Sequence, residues 1–236
     1  MIAIYLRWGM AAGLLAGLLA GLFALLFGES FVDQAVRLEE AAASGHQGEE
    51  LFSRSTQKIG LFFATGLFGV TAGGMFGLAY AYFRARLASK SEWYRSLSLA
   101  GAIFAGAFLI PFVKYPANPP TVGEPAPIGD RTASYLAMVA LSLLVVLAAW
   151  YVASTLRERG TRAPIRQLTV GLGVAVAVGI LFLILPAAPD PGELPSGLLW
   201  DFRLSSLGTQ LVFWTGLGVI FGLLCERANH RKPLES

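Results

Sequence analysis

Long runs of apolar residues alternate along this chain with short polar segments. Each run is about 20 residues long, which is the length that an α-helix needs to cross a hydrocarbon layer of about 30 Å. Six runs are present, at residues 2–27, 57–83, 97–113, 132–156, 168–185 and 204–224. The pattern predicts an all-α polytopic membrane protein, with six transmembrane helices in a single transmembrane domain over residues 1–236.

The first apolar run carries glycine at every fourth position, at Gly9, Gly13, Gly17 and Gly21. Residues four apart lie on the same side of a helix, so these glycines form one stripe. A stripe of small residues lets two helix backbones approach closely within a membrane. The spacing therefore predicts tight packing against another helix.

A polar segment at residues 29–43 follows the first run. Charged residues recur in it every three or four positions, and apolar residues occupy the opposite side. This pattern predicts a short amphipathic helix that lies on the outer surface. A flexible polar connection with His46, Glu49 and Glu50 comes next.

Residues 112–131 contain five of the twelve prolines in the chain. Proline lacks a backbone N–H and restricts the residue before it, so we expect this segment to be a stiff, extended loop. A second proline-rich loop follows the fifth run. Residues 61–67 and 211–217 share a Leu-x-Phe-x-Thr-Gly-Leu pattern, which suggests repeated two-helix hairpins.

The composition supports a membrane protein and excludes several other classes. Charged residues make up 14% of the chain, against about 25% in soluble domains. The net charge is +3, but the basic residues flank the runs and form no continuous patch, so we expect no nucleic-acid partner. The single cysteine excludes an intrachain disulfide and a cysteine metal cluster.

The distribution of charge predicts the orientation. Twelve of the 18 Lys and Arg residues lie in the N-terminal segment, the loops after the second and fourth runs, and the tail. The other three loops contain six basic and eleven acidic residues. The positive-inside rule then places both termini in the cytoplasm and the acidic loops outside.

Polar side chains gather at the predicted outer ends of the spans. As a substrate path we select Lys114, Tyr115, Asn118, Asp130, Arg131, Asp201, Arg203 and Gln210. A charge at the centre of a membrane helix costs about 2.5–3.5 kcal/mol, so such groups invite a functional explanation. The alternative is that they are interfacial anchors that snorkel, pair and cap helix ends.

The most informative helix start is at residues 200–210, WDFRLSSLGTQ. Asp201 is predicted to cap the first turn. Arg203 and Gln210 are seven residues apart and therefore share one side of the helix. Gln210 falls about two turns into the membrane, where its amide needs a partner inside the bundle.

Oxygen and imidazole groups are suitable ligands for divalent first-row metals. The candidate ligands are Glu29, Asp33, His46, Glu49 and Glu50. The alternative is a solvated acidic loop. Enzyme motifs are missing: the sequence has no GxxxxGK[ST] phosphate loop, no HExxH zinc site and no catalytic triad in the spans. We therefore expect that the protein is not an enzyme and has no cofactor. If it transports a solute, we expect the energy to come from a gradient or a partner subunit.

Four blocks of this sequence resemble the CbtA family of predicted cobalt transporter subunits. They are AGLLAGLFALLFGESFVDQAVRLEEA, SRSTQKIGLF, PFVKYPANPPTVGEPAPIGDRT and LLWDFRLSSLGTQLVFW. The resemblance implies a multi-pass protein of the bacterial inner membrane that takes up cobalt for vitamin B12 supply. It also implies a small one-span partner, CbtB, with a His-rich metal site. Family members often have a His-rich first outer loop, where this chain has only His46.

The function expected is the membrane subunit of a Co²⁺ uptake transporter. Acidic outer loops would concentrate a divalent cation. Lys114, Arg131 and Arg203 would repel it unless nearby carboxylates neutralise them, whereas they would suit an anionic or chelated metal. The alternatives are a non-transporting scaffold that docks a partner on the glycine stripe, and a permease for another metal or a small anion. A homo-oligomer is also compatible with the sequence.

Overall fold

The computed structural model describes residues 2–42, 53–119, 128–188 and 194–230, and helices account for most of them. Of these residues 89% are helical, and none of them lies in a β-strand. Lipid offers no hydrogen bonds to a polypeptide, and each helix satisfies its own N–H and C=O groups. The predicted all-α class is confirmed.

The described residues form a series of α-helices. They are α1 (Ile2–Phe27), α2 (Glu29–Ala42), α3 (Arg54–Phe83), α4 (Glu92–Phe104), α5 (Ile110–Lys114), α6 (Ile128–Glu158), α7 (Ala163–Ile184) and α8 (Ser196–His230). Six stretches are long and apolar enough to cross a membrane: Ile2–Phe27, Arg54–Arg86, Glu92–Lys114, Thr132–Glu158, Ala163–Ile184 and Ser196–Asn229. The prediction of six membrane-spanning helices is confirmed, and the orientation of the termini stays a prediction.

The last helix starts earlier than the sequence suggested. The carbonyl of Pro195 accepts a hydrogen bond from the Leu199 N–H at 3.1 Å, so α8 begins directly after this proline. Proline is favourable just at a helix start because its fixed φ suits the first turn. Asp201 therefore lies inside α8, and the prediction that it caps the first turn is wrong.

The proline-rich segment is shorter than predicted. The helix α5 continues to Lys114, and α6 begins at Ile128, so the expectation of a non-helical loop over residues 112–131 is wrong at both ends. The first proline of the segment is Pro116, and it restricts only itself and the preceding Tyr115. Residues 112–114 precede that restriction, and residues 128–131 follow the last proline, so both can be helical.

A widened turn at Ala105–Leu109 connects α4 to α5 within the third span. In this π-helical segment the N–H of Ile110 bonds to the carbonyl of Ala105, five residues earlier. Pro111, the second residue of α5, has no N–H to offer to the carbonyl four residues before it. The π-helical segment thus sits one turn before a proline that interrupts regular helical bonding.

The chain folds into two compact units. The first comprises Met1–Gly101, Asn118–Thr121 and Leu194–Ser236, and the second comprises Ala102–Ala117 and Val122–Glu193. The single transmembrane domain and the repeated hairpins of the sequence analysis stay predictions.

The first unit is built on direct backbone contact between α1 and α3. The glycine stripe of α1 is buried, and its contacts pair Gly9 with Gly73, Gly13 with Gly69, and Gly17 with Thr65. A methyl group added at Gly13 would overlap the carbonyl oxygen of Gly69. The stripe therefore serves close helix packing, as predicted. Because α3 covers it, this stripe is not the docking face that the scaffold alternative assigned to it.

The remaining core of the first unit lies where α8 meets α1, α3 and α4. Phe76, Tyr80 and Phe221 are buried and form aromatic contacts with each other. The hydroxyl of Ser96 donates a hydrogen bond of 2.7 Å to the carbonyl of Gly218, which fastens α4 to α8. In the second unit, Gly106 of the π-helical segment lies against Leu143 of α6, and α6 packs against α7.

We expect the variant Gly13→Ala to lose about 1–3 kcal/mol of stability, because its methyl group forces two touching backbones apart. The matched control is Gly60→Ala on α3, where nothing lies within 4 Å of an added Cβ. The melting temperature of the purified protein in detergent measures the effect. Equal melting temperatures for the two variants would contradict the packing described for α1 and α3.

Candidate functional site

Four charged side chains come together where α2 meets the start of α3. Glu29 and Asp33 are four residues apart on α2, and Arg54 and Lys58 are four apart on α3, so each pair faces the other. Arg54 Nη2 lies 2.7 Å from Glu29 Oε1, and Lys58 Nζ lies 3.1 Å from Asp33 Oδ2. Arg54 Nε also donates to Asp33 Oδ1 at 3.1 Å. We call these four residues the α2–α3 charge cluster.

The formal charges of the α2–α3 charge cluster cancel. Its side chains are partly shielded, with exposed fractions of 12% for Glu29, 28% for Asp33, 29% for Arg54 and 39% for Lys58. The hydrogen bonds from Arg54, followed by those from Lys58, hold the pKa of Asp33 below its usual value, against the opposing effect of burial. The cluster therefore fastens α2 onto α3.

The structure places two of the five proposed metal ligands. Glu29 and Asp33 lie side by side, but both already bind cationic side chains. His46, Glu49 and Glu50 lie outside the described residues. Among the residues that the structure does describe, no group of three or more His, Cys, Asp or Glu side chains could hold a metal ion. A cation that reached Glu29 and Asp33 would have to compete with Arg54 and Lys58.

Two proposed path residues meet in the first unit. Arg203 Nη2 donates a hydrogen bond of 2.9 Å to Asn118 Oδ1, and its guanidinium lies 5.8 Å from the centre of the Trp200 ring. The bond joins the described end of the proline-rich segment to the second turn of α8. Asp201 is exposed and Gln210 is partly buried further along the same helix.

Two other path residues belong to the second unit. Lys114 Nζ donates a hydrogen bond of 2.9 Å to the carbonyl of Phe182 in the last turn of α7, where a cation is favourable because carbonyl groups point outward. The Tyr115 hydroxyl donates to the Pro186 carbonyl at 2.8 Å, and burial raises the pKa of Tyr115, so that it remains a donor. The two hydrogen bonds thus join the end of α5 to the end of α7 and the residues just after it.

Asp130 and Arg131 are in the first turn of α6, and their side chains lie outside the part of the chain that the structure describes. The structure therefore describes the side chains of six of the eight proposed path residues. Arg203 binds Asn118, Lys114 and Tyr115 bind carbonyl groups at the end of α7 and just after it, and Asp201 and Gln210 lie on α8.

Sequence reasoning missed a buried carboxylate at the other end of α3. Glu92 is only 4% exposed. Its carboxylate accepts hydrogen bonds from five donors, which come from α3, the turn after it, α4 and α8. The donors are the Tyr80 hydroxyl, Arg84 Nε at 3.0 Å, Arg84 Nη2, Arg95 Nη1 at 3.1 Å and Asn229 Nδ2 at 3.4 Å. We call Glu92 and these four donor residues the Glu92 network.

A second carboxylate, Glu226 of α8, supports the start of α4. Its Oε1 accepts a hydrogen bond from the Ser91 hydroxyl at 2.7 Å and another from the Trp93 N–H at 3.3 Å. The first N–H groups of a helix have no partner inside the helix, so an acceptor from a neighbouring helix caps them. Two carboxylates thus fix the start of α4 against α8.

A signal for the Glu92 network was present in the sequence. Glu92 is the sole acid among Arg84, Arg86, Lys90 and Arg95, all of which the sequence analysis treated as loop charges. The structure shows instead that α4 begins at Glu92, five residues before the predicted start of the third span. An acid at the start of a helix and close to two arginines could have indicated a buried ion pair.

Comparison with known proteins gives one family. The model of a family described as "Probable cobalt transporter subunit (CbtA)" matches residues 2–226, which is nearly the whole chain. No curated protein and no solved structure matches this chain.

We expect acid to weaken the α2–α3 charge cluster. Since the pKa of Asp33 is lower in the folded state, its contribution to stability is complete above its unfolded pKa of about 3.9 and is lost as the pH falls through the folded value. When the pH is lowered below about 4, the melting temperature of the wild-type protein should decrease, and that of Asp33→Asn should decrease less steeply. An equally steep fall for wild type and Asp33→Asn would contradict this role of Asp33.

Proposed function

Since the chain belongs to the CbtA family, we propose that it is the membrane subunit of a Co²⁺ uptake transporter that serves cobalamin supply. The observation that carries the proposal is the family match over residues 2–226, on a chain with six helices able to cross a membrane. Co²⁺ is the cargo in this proposal. We assign no catalytic step and no resident cofactor to the chain.

The proposed setting is the bacterial inner membrane, with both termini in the cytoplasm. The family description calls the protein a subunit, and a subunit requires at least one partner. We propose a small one-span partner with a His-rich metal site. The described part of this chain supports that division of labour, because its carboxylates Glu29 and Asp33 are occupied by cationic side chains. Imidazole ligands, which suit Co²⁺, would then come from the partner.

The outer end of the first unit is the proposed entrance. In this proposal the acidic outer loops raise the local concentration of Co²⁺. The bond between Arg203 and Asn118 holds Asn118 against α8, and in this proposal the pair lines the entrance. The α2–α3 charge cluster keeps α2 in place beside it, and its balanced charge adds no barrier to a cation.

Cobalt accumulation in cells that lack other cobalt uptake systems tests the proposal. We expect accumulation of ⁵⁷Co when this chain and its partner are both expressed, and not with an empty vector. Parallel assays with Ni²⁺, Zn²⁺ and an anionic cobalt chelate identify the cargo. Accumulation of another metal alone would reassign the substrate, and no accumulation with both subunits at normal membrane levels would favour a non-transporting scaffold.

We expect Arg203→Gln to reduce cobalt uptake about tenfold without lowering the amount of protein in the membrane, because the entrance loses a charged hydrogen bond to Asn118. The matched control is Arg157→Gln, which removes an exposed arginine from the last turn of α6. Uptake and membrane level are measured for both. Normal uptake by Arg203→Gln would remove this residue from the path.

A further inference from the structure

Among the described residues of the first unit, Glu92 is the buried carboxylate that joins several helices. Tyr80 is fully buried on α3, Arg95 lies on α4 and Asn229 lies near the end of α8. All of them bind the carboxylate of Glu92, which is itself the first residue of α4. Loss of that single negative charge would therefore release ties from three helices together.

The network is not the arrangement that stability alone would favour. Removing ionised groups from water carries a large cost, which an ion pair offsets only when its hydrogen bonds are complete. Here Arg95 Nε is buried and has no hydrogen-bond partner among the described residues. The Asn229 contact is long, at 3.4 Å. Buried ionisable groups that are incompletely satisfied call for an explanation.

The network also holds an aromatic cluster in place. The Tyr80 ring lies 5.5 Å from the Tyr5 ring and 4.8 Å from the Phe221 ring, measured between centroids. Cys225 follows Phe221 by one turn of α8 and is only 2% exposed. Phe221 packs against Tyr80 of α3, and Glu226, next to Cys225, accepts hydrogen bonds at the start of α4. We therefore expect Cys225 to become accessible to solvent when these contacts of α8 with α3 and α4 open.

We propose that the Glu92 network is a latch, which closes the interior of the first unit at the end opposite the α2–α3 charge cluster and must open for an ion to leave there. The two clusters are separated by the length of α3, about 45 Å. By the charge distribution this is the cytoplasmic end. The role of the latch in cobalt release rests on the proposed function. Its control of solvent access to the interior of the first unit does not.

An ionic latch suits this task because its strength depends on dryness. The attraction between Glu92 and the arginines is strong while the Glu92 carboxylate is shielded from water, and it falls as the local dielectric constant rises. Once one bond opens and water enters, the others weaken as well. The result is two well-separated states, closed and open, whose populations a bound ion can shift.

The rate at which a thiol reagent modifies Cys225, the single cysteine of the chain, measures how often the latch opens. The full-length protein is reconstituted in lipid vesicles, and the rate of Cys225 modification by N-ethylmaleimide is measured by mass spectrometry, with Cys225→Ser as the blank. If closed and open states interconvert rapidly, the rate follows the open fraction. We expect Glu92→Gln to raise the rate about tenfold and Tyr80→Phe, which keeps the ring, to raise it about threefold.

The matched control is Ser96→Ala, which removes a buried hydrogen bond between α4 and α8 outside the network. We expect its rate to stay within about twofold of wild type. Equal rates for wild type and Glu92→Gln would overturn the latch, and so would an equal rise in Ser96→Ala, since that would indicate general loosening. If Glu92→Gln fails to reconstitute, Tyr80→Phe decides by the same criteria.

Co²⁺ connects the latch with transport. We expect Co²⁺ to raise the modification rate of the wild-type protein, and Mg²⁺ at the same concentration to leave it unchanged. A rate that does not respond to Co²⁺ would overturn the latch as a step in cobalt release. Uptake of ⁵⁷Co in the same vesicles with the partner present separates the two proposals, because absent uptake with a normal Glu92→Gln effect would remove only the cobalt function.

Discussion

The close contact between α1 and α3 is the interaction on which the first unit depends. Glycines on both helices let carbonyl groups of one backbone touch the Cα atoms of the other, so that α3 is held along most of its length. In lipid the hydrophobic effect does not drive helices together, and close van der Waals packing has to replace it. A helix fixed in this way can position charged groups at both of its ends.

Those two ends have opposite character. At the start of α3, Arg54 and Lys58 face two carboxylates of α2, and all four side chains keep some contact with solvent. Just after its other end, Arg84, which is 35% exposed, joins Glu92, whose side chain is only 5% exposed. A partly solvated cluster contributes little free energy, whereas removal of one partner from a buried cluster is costly. The energetic weight therefore lies at the buried end.

The sequence predicted the class of fold and the tight packing of α1. Length and hydropathy are enough for six spans because a bilayer imposes a fixed thickness. The glycine spacing of α1 predicted its tight contact for a similar reason, since only small residues permit it. The partner helix was not identifiable, because α3, α6, α7 and α8 also contain glycine.

The site was harder to predict than the fold. The candidates Arg203 and Asn118 were selected because they lie at span ends, and the structure brings them together over 85 residues of sequence. Asp201 was predicted to cap the first turn of α8 because the sequence placed the start of this helix several residues too late. Glu92 was overlooked because hydropathy averages over a window, and a single acid among arginines looks like a solvated loop. Burial of a charge depends on which helices surround it, and that information is not local in the sequence.

The π-helical segment Ala105–Leu109 sets the direction in which the end of the third span faces. Such a segment holds one residue more than the regular helix that would occupy its place, and one residue corresponds to about 100° of rotation. Deleting a single residue there would turn α5 by that angle and carry Lys114 away from the carbonyl of Phe182. The one additional residue of the π-helical segment thus determines whether Lys114, about two turns further along the chain, reaches the last turn of α7.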